Sequence, residues 1–484
     1  MARYEYNDEK SSKFWEIEQD GHEFTVRYGR IGSDGQSKTK LFDDAATATK
    51  EAEKLIRSKT KKGYELVPET PSEESAAAVA SGSSDERNPE LEAAIIANPG
   101  DEEAWAVYAD WLGTVGDARG ELIALGIQLE ETSDAVAAAG IQKRMQEIEG
   151  ACRESWLGDD FLPHYRAALE LPRDIYEVTS KELSDLLHLE WRYGFIVEAA
   201  VRGVYEGDVP SGEEVLRSLL RSPAARFLQK LRVGKLNPNK DYGDHGRQMH
   251  GFAEILTEAG PLPALREVYI GELLDMQAEL SWTSVDDVSP IFPVLPNLES
   301  LHIRSGEMDL GQPGAIRHEK LRELTLETGG LSEASFEAII AAELPGLLDL
   351  DIWTGDENYG AEVTVEHFEP LLNGNLFPKL KRLGLVNSEL TNDFARVLPE
   401  SAILSQVKIL DLSLGTMTDE GAQRIVDHAE AYRHLEYLDL SENFISDGLC
   451  SRLRALFQEK VNLDAQDEPD LDGDEVWTYV SVGE

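Results

Sequence analysis

Ten histidines, two cysteines and 92 carboxylates are the residues of this 484-residue chain that could ligate a metal, move a proton or act as a nucleophile. Their spacing argues against each role. The run Asp470-x-Asp472-Gly473-Asp474-Glu475 has the composition of a calcium loop. It lacks the twelve-residue spacing and closing Glu, so it reads as a solvated acidic segment. The histidines are scattered, and Asp244-His245 and Met249-His250 fall in a stretch that reads as an insertion loop. Cys152 and Cys450 have no CxxC neighbour, and HExxH, GxSxG and a phosphate-cradling Gly/Lys loop are all missing. Asp110 and Glu121 form a nominal acid pair, but beside Trp111 and Arg119 a structural role fits them better. The expectation is a chain with no catalytic residue, no metal site and no cofactor, whose chemistry is binding. Two sets of residues are candidates for that: Tyr28, Arg30, Lys38 and Lys40 near the start, and a row of polar and aromatic positions spread from Lys230 to Ser441.

Charge separates the two sets. Lys and Arg number 46 against 92 Asp and Glu, for a net charge of −46. Residues 1–67 hold 13 of each sign and are neutral, so the remainder carries the whole excess. A surface that acidic repels nucleic acid and anionic membranes. Only the first 67 residues are electrostatically free to approach a polyanion. Two distant cysteines exclude a disulfide framework and fit a reducing compartment. The start lacks an apolar signal segment, and no run approaches the ~18 apolar residues of a membrane span. A cytoplasmic location is the expectation.

Residues 1–67 alternate as strands from Lys13 to Phe42, with Asp20-Gly21 as a hairpin signal and a second turn at Gly32–Gly35. A helical pattern comes next, with Ala48, Ala52 and Leu55 on one face. A small antiparallel sheet with one covering helix is predicted. Its residues resemble a WGR domain: Lys13-Phe14-Trp15, Tyr28-Gly29-Arg30-Ile31-Gly32, Gly35-Gln36, Phe42 and Lys59-Thr60-Lys61-Lys62-Gly63-Tyr64. WGR domains occur in poly(ADP-ribose) polymerases and in bacterial regulators, and in the polymerases the signature Trp and Arg contact DNA ends. Here the signature Trp is Tyr28, a smaller stacking ring, while Arg30 carries over directly. The resemblance implies nucleic-acid contact through Tyr28, Arg30 and the edge bearing Lys38 and Lys40. The competing reading makes Tyr28 a core aromatic and pairs Arg30 with a nearby acid. A protein contact through the same module is a third possibility.

Pro68 to Arg87 is rich in Pro, Ser, Glu and Ala and reads as a flexible tether for residues 68–87. Residues 88–189 are helical. Pro89 starts one helix, Asn98-Pro99-Gly100 breaks it, Asp101 caps the next, and Gly113 and Gly116-Asp117 break again. This segment resembles the short repeat-companion domain of myxobacterial and planctomycete proteins. The match lies in Asn98-Pro99, Asp101, Tyr108-Ala109-Asp110-Trp111-Leu112, Gly116-Asp117, Arg119-Gly120-Glu121 and Ile123. That family has no settled activity, so the resemblance speaks to architecture and a bacterial source. Trp156, Phe161, Tyr165, Trp191 and Tyr193 are the expected core joining these helices to the first repeat.

From about residue 190 to 463 one phrase recurs: apolar, two others, apolar, one other, apolar. Its central residues are Leu231, Val268, Leu301, Leu324, Leu350, Leu383, Leu410 and Leu438, at steps of 37, 33, 23, 26, 33, 27 and 28 residues. Polar turns and helical segments such as Asp419–Ala429 come after the phrases. A unit of this kind cannot bury its own apolar face, so the units must stack. The predicted fold class is α/β, a leucine-rich-repeat solenoid similar to the ribonuclease-inhibitor class, preceded by the helical domain and the WGR-like module. GFIVEAAVRG and VNLDAQ could begin and end its sheet. Residues 464–484 would cap the array, with Trp477 and Tyr479 shielding its open end.

Alternation along the strands places the residues between the apolar ones on the concave face. Those singled out as partner contacts are Tyr269, His302, Arg304, Glu323, Glu327, Asp349, Asp351 and Trp353, the last as an aromatic ring left in solvent. The face reads from basic at Lys230 and Arg232 to acidic at Asp411 and Asp439. The expected function is a non-catalytic adaptor or scaffold. Its arc would hold a protein partner with a basic surface, and its N-terminal module a second ligand. The alternative is a nucleic-acid-binding sensor acting through the WGR-like module.

Overall fold

Strand alternation and turn signals in the first 67 residues produce the small sheet they predict. The computed structural model describes residues 2–8, 11–20, 22–30, 35–42, 45–62, 64–67, 86–170, 187–202, 211–236, 249–272, 279–472 and 475–483. The chain falls into two compact units, Met1–Ser81 and Gly82–Glu484. Nearly all of the expected tether, residues 68–85, lies outside the described residues, as do Asp244-His245 and the turn residues 31–34.

The first unit is an antiparallel sheet of β1 (Ala2–Asp8), β2 (Ser11–Asp20), β3 (Glu23–Arg30), β4 (Gln36–Leu41) and β5 (Glu65–Val67). Its order is β4-β3-β2-β1-β5. The β2–β3 hairpin closes with Asp20 opposite Glu23. Helix Ala45–Thr60 covers one face, where Tyr4, Trp15, Ile17, Phe24 and Ala52 share a core. On the other face Phe14 and Glu16 are also buried, and Arg27 pairs with Glu16 at 2.6 Å.

The second unit opens with helices Pro89–Ala97, Glu102–Thr114, Arg119–Glu131 and Ala135–Glu170, the last broken at Gly158. The Asp101 carboxylate accepts from the amides of Glu103 and Ala104, the predicted cap. Glu121 pairs with Arg144, while Arg119 is buried against Asp117. Trp105 and Tyr108 pack with Tyr193, Phe195 and Phe227, so these helices share one core with the first strands of the sheet. Trp156 and Phe161 are buried as expected.

Among the described residues that sheet has eleven strands. β6 (Leu187–Arg192) is antiparallel to β7 (Phe195–Val201). Parallel neighbours then succeed one another in chain order: β8 (Lys230–Val233), β9 (Glu267–Ile270), β11 (Ser300–Arg304), β13 (Glu323–Glu327), β14 (Asp349–Gly355), β15 (Arg382–Ser388), β16 (Ile409–Asp411), β17 (Tyr437–Asp439) and β18 (Val461–Asn462). Two short strands, β10 (Ser284–Val285) and β12 (Glu307–Met308), pair separately. The central residues of the eight phrases stand in one register across the sheet, from Leu231 opposite Val268 to Leu410 opposite Leu438, and all are buried. Parallel pairing demands a crossover after every strand. The crossovers stack in turn, as Phe336, Phe368 and Phe394 do at 4.2 and 4.9 Å.

The C-terminal segment departs from expectation. β19 (Asp470–Asp472) and β20 (Glu475–Trp477) form a hairpin, after which Trp477 and Tyr479 are 57% and 48% exposed. Tyr479 packs edge-on against Phe444 of the last unit, while Trp477 faces solvent. Residues 464–467 also bond to that unit, through Glu442 N–H to Asp464 O and Asp467 N–H to Asn443 O. The chain then turns back along the loops after β17, β16 and β15.

Candidate functional site

Cross-strand register decides which cations of the first unit share a face. Trp15 stands opposite Tyr28, and Tyr28 opposite Gln36. Arg30 stands opposite Lys13, Val26 opposite Lys38, and Phe24 opposite Lys40. Directly opposed residues point to the same side. Tyr28, Arg30, Lys38 and Lys40 therefore lie on one face, the one whose centre the helix covers. They are its uncovered margin. Tyr28 is 41% exposed and Arg30, Lys38 and Lys40 are exposed, so Tyr28 is not a core aromatic. Lys40 Nζ sits 4.8 Å from the Phe42 ring, which aims its charge along the strand edge.

The structure adds cations that the motif alone does not single out. Lys59 Nζ lies 5.3 Å from the Trp15 ring and 4.6 Å from the Tyr64 ring. Burial, then the charges of Lys62 and Lys13, push its pKa below the ordinary lysine value. Lys59 thus feels two further ammonium charges, and one of them, Lys13, is the cross-strand neighbour of Arg30. Mutual repulsion of this kind is relieved by an anion. The signal was present in the Lys59–Tyr64 motif, but only the fold brings Lys13 to it from 46 positions away in sequence. The module is neutral overall, yet Lys13, Arg30, Lys38 and Lys40 lie on one face of its sheet.

The polar row of the second unit is largely self-satisfied. Lys230 pairs with Glu267 at 2.7 Å, and Arg232 with Glu198 and Glu272 at 2.9 and 2.8 Å. The start of the row is therefore not the basic patch its strand residues alone imply, because acids from adjoining strands and loops neutralise it. Tyr269 stacks on His302 with centroids 4.0 Å apart, and Glu327 takes both His302 and Arg304 at 2.9 Å. Arg382 sits among Asp349, Asp351 and Asp411 at 2.9, 2.7 and 2.8 Å. Glu323 remains exposed. Trp353 does not remain in solvent: it is 9% exposed. β14 and β15 continue through Trp353 opposite Val386 to Gly355 opposite Ser388, so the ring belongs to an extended, covered part of the sheet. It is not an open anchor.

Asp351 carries a testable consequence. Burial raises its pKa above the ordinary aspartate value, with the charges of Asp411 and Asp349 adding to burial and Arg382 opposing it. One of its carboxylate oxygens is buried without a hydrogen bond among the described residues. An acid whose folded pKa is raised binds its proton more tightly in the folded state. Stability therefore falls as pH rises from the ordinary value through the raised one. Asp351→Asn is expected to stabilise the chain at pH 7, with the gain shrinking to nothing near pH 3. Urea unfolding at the two pH values measures it.

Among the described residues, no group of three or more His, Cys, Asp or Glu could hold a metal ion, and no helix is long and apolar enough to cross a membrane. Comparison with known proteins bears on the first unit. Residues 2–71 match the WGR domain family. Protein YfeS of Escherichia coli is 50% identical over 66 residues, which is 14% of this chain and 27% of that protein. Protein YehF of Escherichia coli is 50% identical over 64 residues, 13% of this chain and 23% of that protein. The chain thus spans about a quarter of the length of these curated relatives. Among solved structures, a Bacteroides fragilis protein aligns with 100% of this chain and 99% of its own, at a TM-score of 0.47 and 22% identity. An internalin from Listeria monocytogenes aligns with 57% of this chain and 87% of its own, at a TM-score of 0.22 and 15% identity. The N-terminal unit of this mixed α/β chain is a WGR domain.

Proposed function

We propose that the WGR domain engages nucleic-acid backbone or ends through Tyr28, Arg30, Lys38 and Lys40, together with Lys13, Lys59 and Lys62. The observation that carries this reading is the placing of Lys13, Arg30, Lys38 and Lys40, with the half-exposed Tyr28 ring, on one sheet face, and of the helix residue Lys59 against Trp15 of that face. Cations would neutralise phosphates, and Tyr28 would stack on a terminal base or sugar. Stacking of one base is worth about 1–3 kcal/mol. Tyr28→Ala in the full chain is therefore expected to weaken binding to a 5′-phosphorylated DNA duplex by about tenfold. Lys13→Gln and Lys59→Gln are each expected to reduce the slope of log affinity against log salt by roughly 0.9. Fluorescence anisotropy over a salt range of about 50–200 mM reads both effects. Binding that is absent at low salt, or unchanged in all three variants, defeats the reading.

The second unit supports a partner-holding role beside it. We read residues 190–463 as a leucine-rich-repeat array and the preceding helices as its companion domain. In the phrase of Leu435, Leu438 and Leu440, Asn443 falls where that repeat carries its asparagine. Its amide donates to Leu412 O, Leu440 O and Ser441 O and accepts from Met417 N–H, stitching one unit to the previous one. In this reading the chain is a non-catalytic adaptor in the cytoplasm, with a protein on the array and nucleic acid on the WGR domain.

A further inference from the structure

Asn387 ends β15 in a left-handed conformation, with φ of 47°, and is fully buried. Its side-chain amide is spent on the main chain of a distant segment. Asn387 Nδ2 donates to Val482 O at 2.6 Å, and Val482 N–H donates to Asn387 Oδ1 at 2.9 Å. One residue earlier, Ser481 N–H donates to Leu414 O, in the loop after β16. Tyr479 rests edge-on against Phe444, after β17, at 5.6 Å. One residue later, Gly483 reaches the loops after β13 and β14. A Cβ on Gly329 would meet Gly483 O at 2.7 Å, and a Cβ on Gly483 would meet the Tyr359 ring at 2.5 Å. Segment 479–483, which bends at Ser481, thus contacts the loops of five successive units.

The contacts are of one kind. The N–H and the C=O of Val482 are both bonded by one buried side-chain amide. Gly329 and Gly483 bring backbone against backbone. Val480 is buried, while Tyr479 and Ser481 are exposed. The edge therefore recognises main chain, one β-branched residue and a glycine three positions on. Of the other side chains, the Tyr479 ring rests on Phe444. Loss of the segment breaks both hydrogen bonds of the Asn387 amide until water or another main chain replaces them. Release of the segment is disfavoured unless something replaces it.

We propose that this loop edge is a peptide-binding track for an uncharged Val-x-x-Gly segment supplied in trans, and that residues 479–483 occupy it in cis. A trans peptide gains entry by exchange, matching the Asn387 amide pair while the chain's own segment leaves.

The test uses the full chain and a fluorescent peptide of residues 477–483, Trp-Thr-Tyr-Val-Ser-Val-Gly. The double variant Val480→Asp/Gly483→Phe dislodges the resident segment by burying a charge and driving a ring into Tyr359. The peptide is expected to bind this variant saturably, at least tenfold tighter than it binds the unsubstituted chain. Adding Asn387→Asp, which keeps the left-handed tolerance but removes the donor, should cut affinity tenfold or more. A peptide with Phe in place of its glycine should not bind. No saturable binding to the folded double variant overturns the proposal, and so does equal binding of the Phe peptide. If the double variant does not fold, hydrogen exchange in the unsubstituted chain decides. Excess peptide should accelerate exchange of the Ser481 and Val482 amides at least fivefold, and unchanged exchange overturns the proposal.

Discussion

Replacing Arg119 by Met is expected to lower the unfolding free energy of the second unit by about 3–5 kcal/mol. Arg119 and Asp117 are both fully buried, and Arg119 bonds Asp117 through Nε and Nη2 at 3.0 and 2.5 Å. Its guanidinium also stands 4.5 Å from the Phe195 ring, at the first full strand of the sheet. Removing the arginine strands a carboxylate with a backbone amide for company, from Arg119 N–H itself. Desolvation then dominates, because the lost Coulomb partner is not replaced by water. The double change Asp117→Leu/Arg119→Met should recover most of the loss, since an apolar pair has no charge left to bury. Urea unfolding of the full chain measures both. A loss below about 1 kcal/mol for Arg119→Met, the range of exposed pairs, would show that the pair is solvated.

Gly355→Ala should be at least as damaging, about 4 kcal/mol or more. Gly355 has φ of 72°, and a Cβ there would fall 1.8 Å from Gly329 O and 2.2 Å from Gly329 C. Both obstacles are backbone, so no rotamer change relieves them. The loops after β13 and β14 would have to part, breaking Leu331 N–H to Thr354 O and Asp356 N–H to Gly329 O. Gly360→Ala is the internal control. Gly360 also has positive φ, 96°, but nothing stands within 4 Å of its added Cβ. It should cost only the left-handed penalty of about 1–2 kcal/mol. Similar unfolding midpoints for the two variants would contradict the close approach of the two loops.

Legibility varied by element, for physical reasons. The eight apolar phrases were readable because burial acts on residue type at fixed offsets, and a parallel strand in a stack repeats the same offsets. The helix-start signals at Pro89 and Asp101 were readable because they act over three or four residues. Pairings between distant strands were not. Lys230 and Arg232 read as a basic start until Glu198, Glu267 and Glu272 were placed beside them. Trp353 read as a solvent-facing ring by alternation, yet the strand continues past the repeat's usual length and covers it. The path of the C-terminal segment had no local signal, because its bonds run from Ser481 and Val482 to residues some 70 to 95 positions away.

By itself the sequence determined the mixed strand-and-helix pattern, the neutral N-terminal module against an acidic remainder, and the WGR signature with Tyr28 in place of its tryptophan. These depend on composition and on offsets shorter than one unit. Only the tertiary structure decided which charges neutralise one another, that Lys59 lies against both Trp15 and Tyr64, and what Asn387 holds. Those depend on distances between residues far apart in the chain. Coulomb and hydrogen-bond energies are set by such distances and by burial, neither of which is written in any single stretch of sequence.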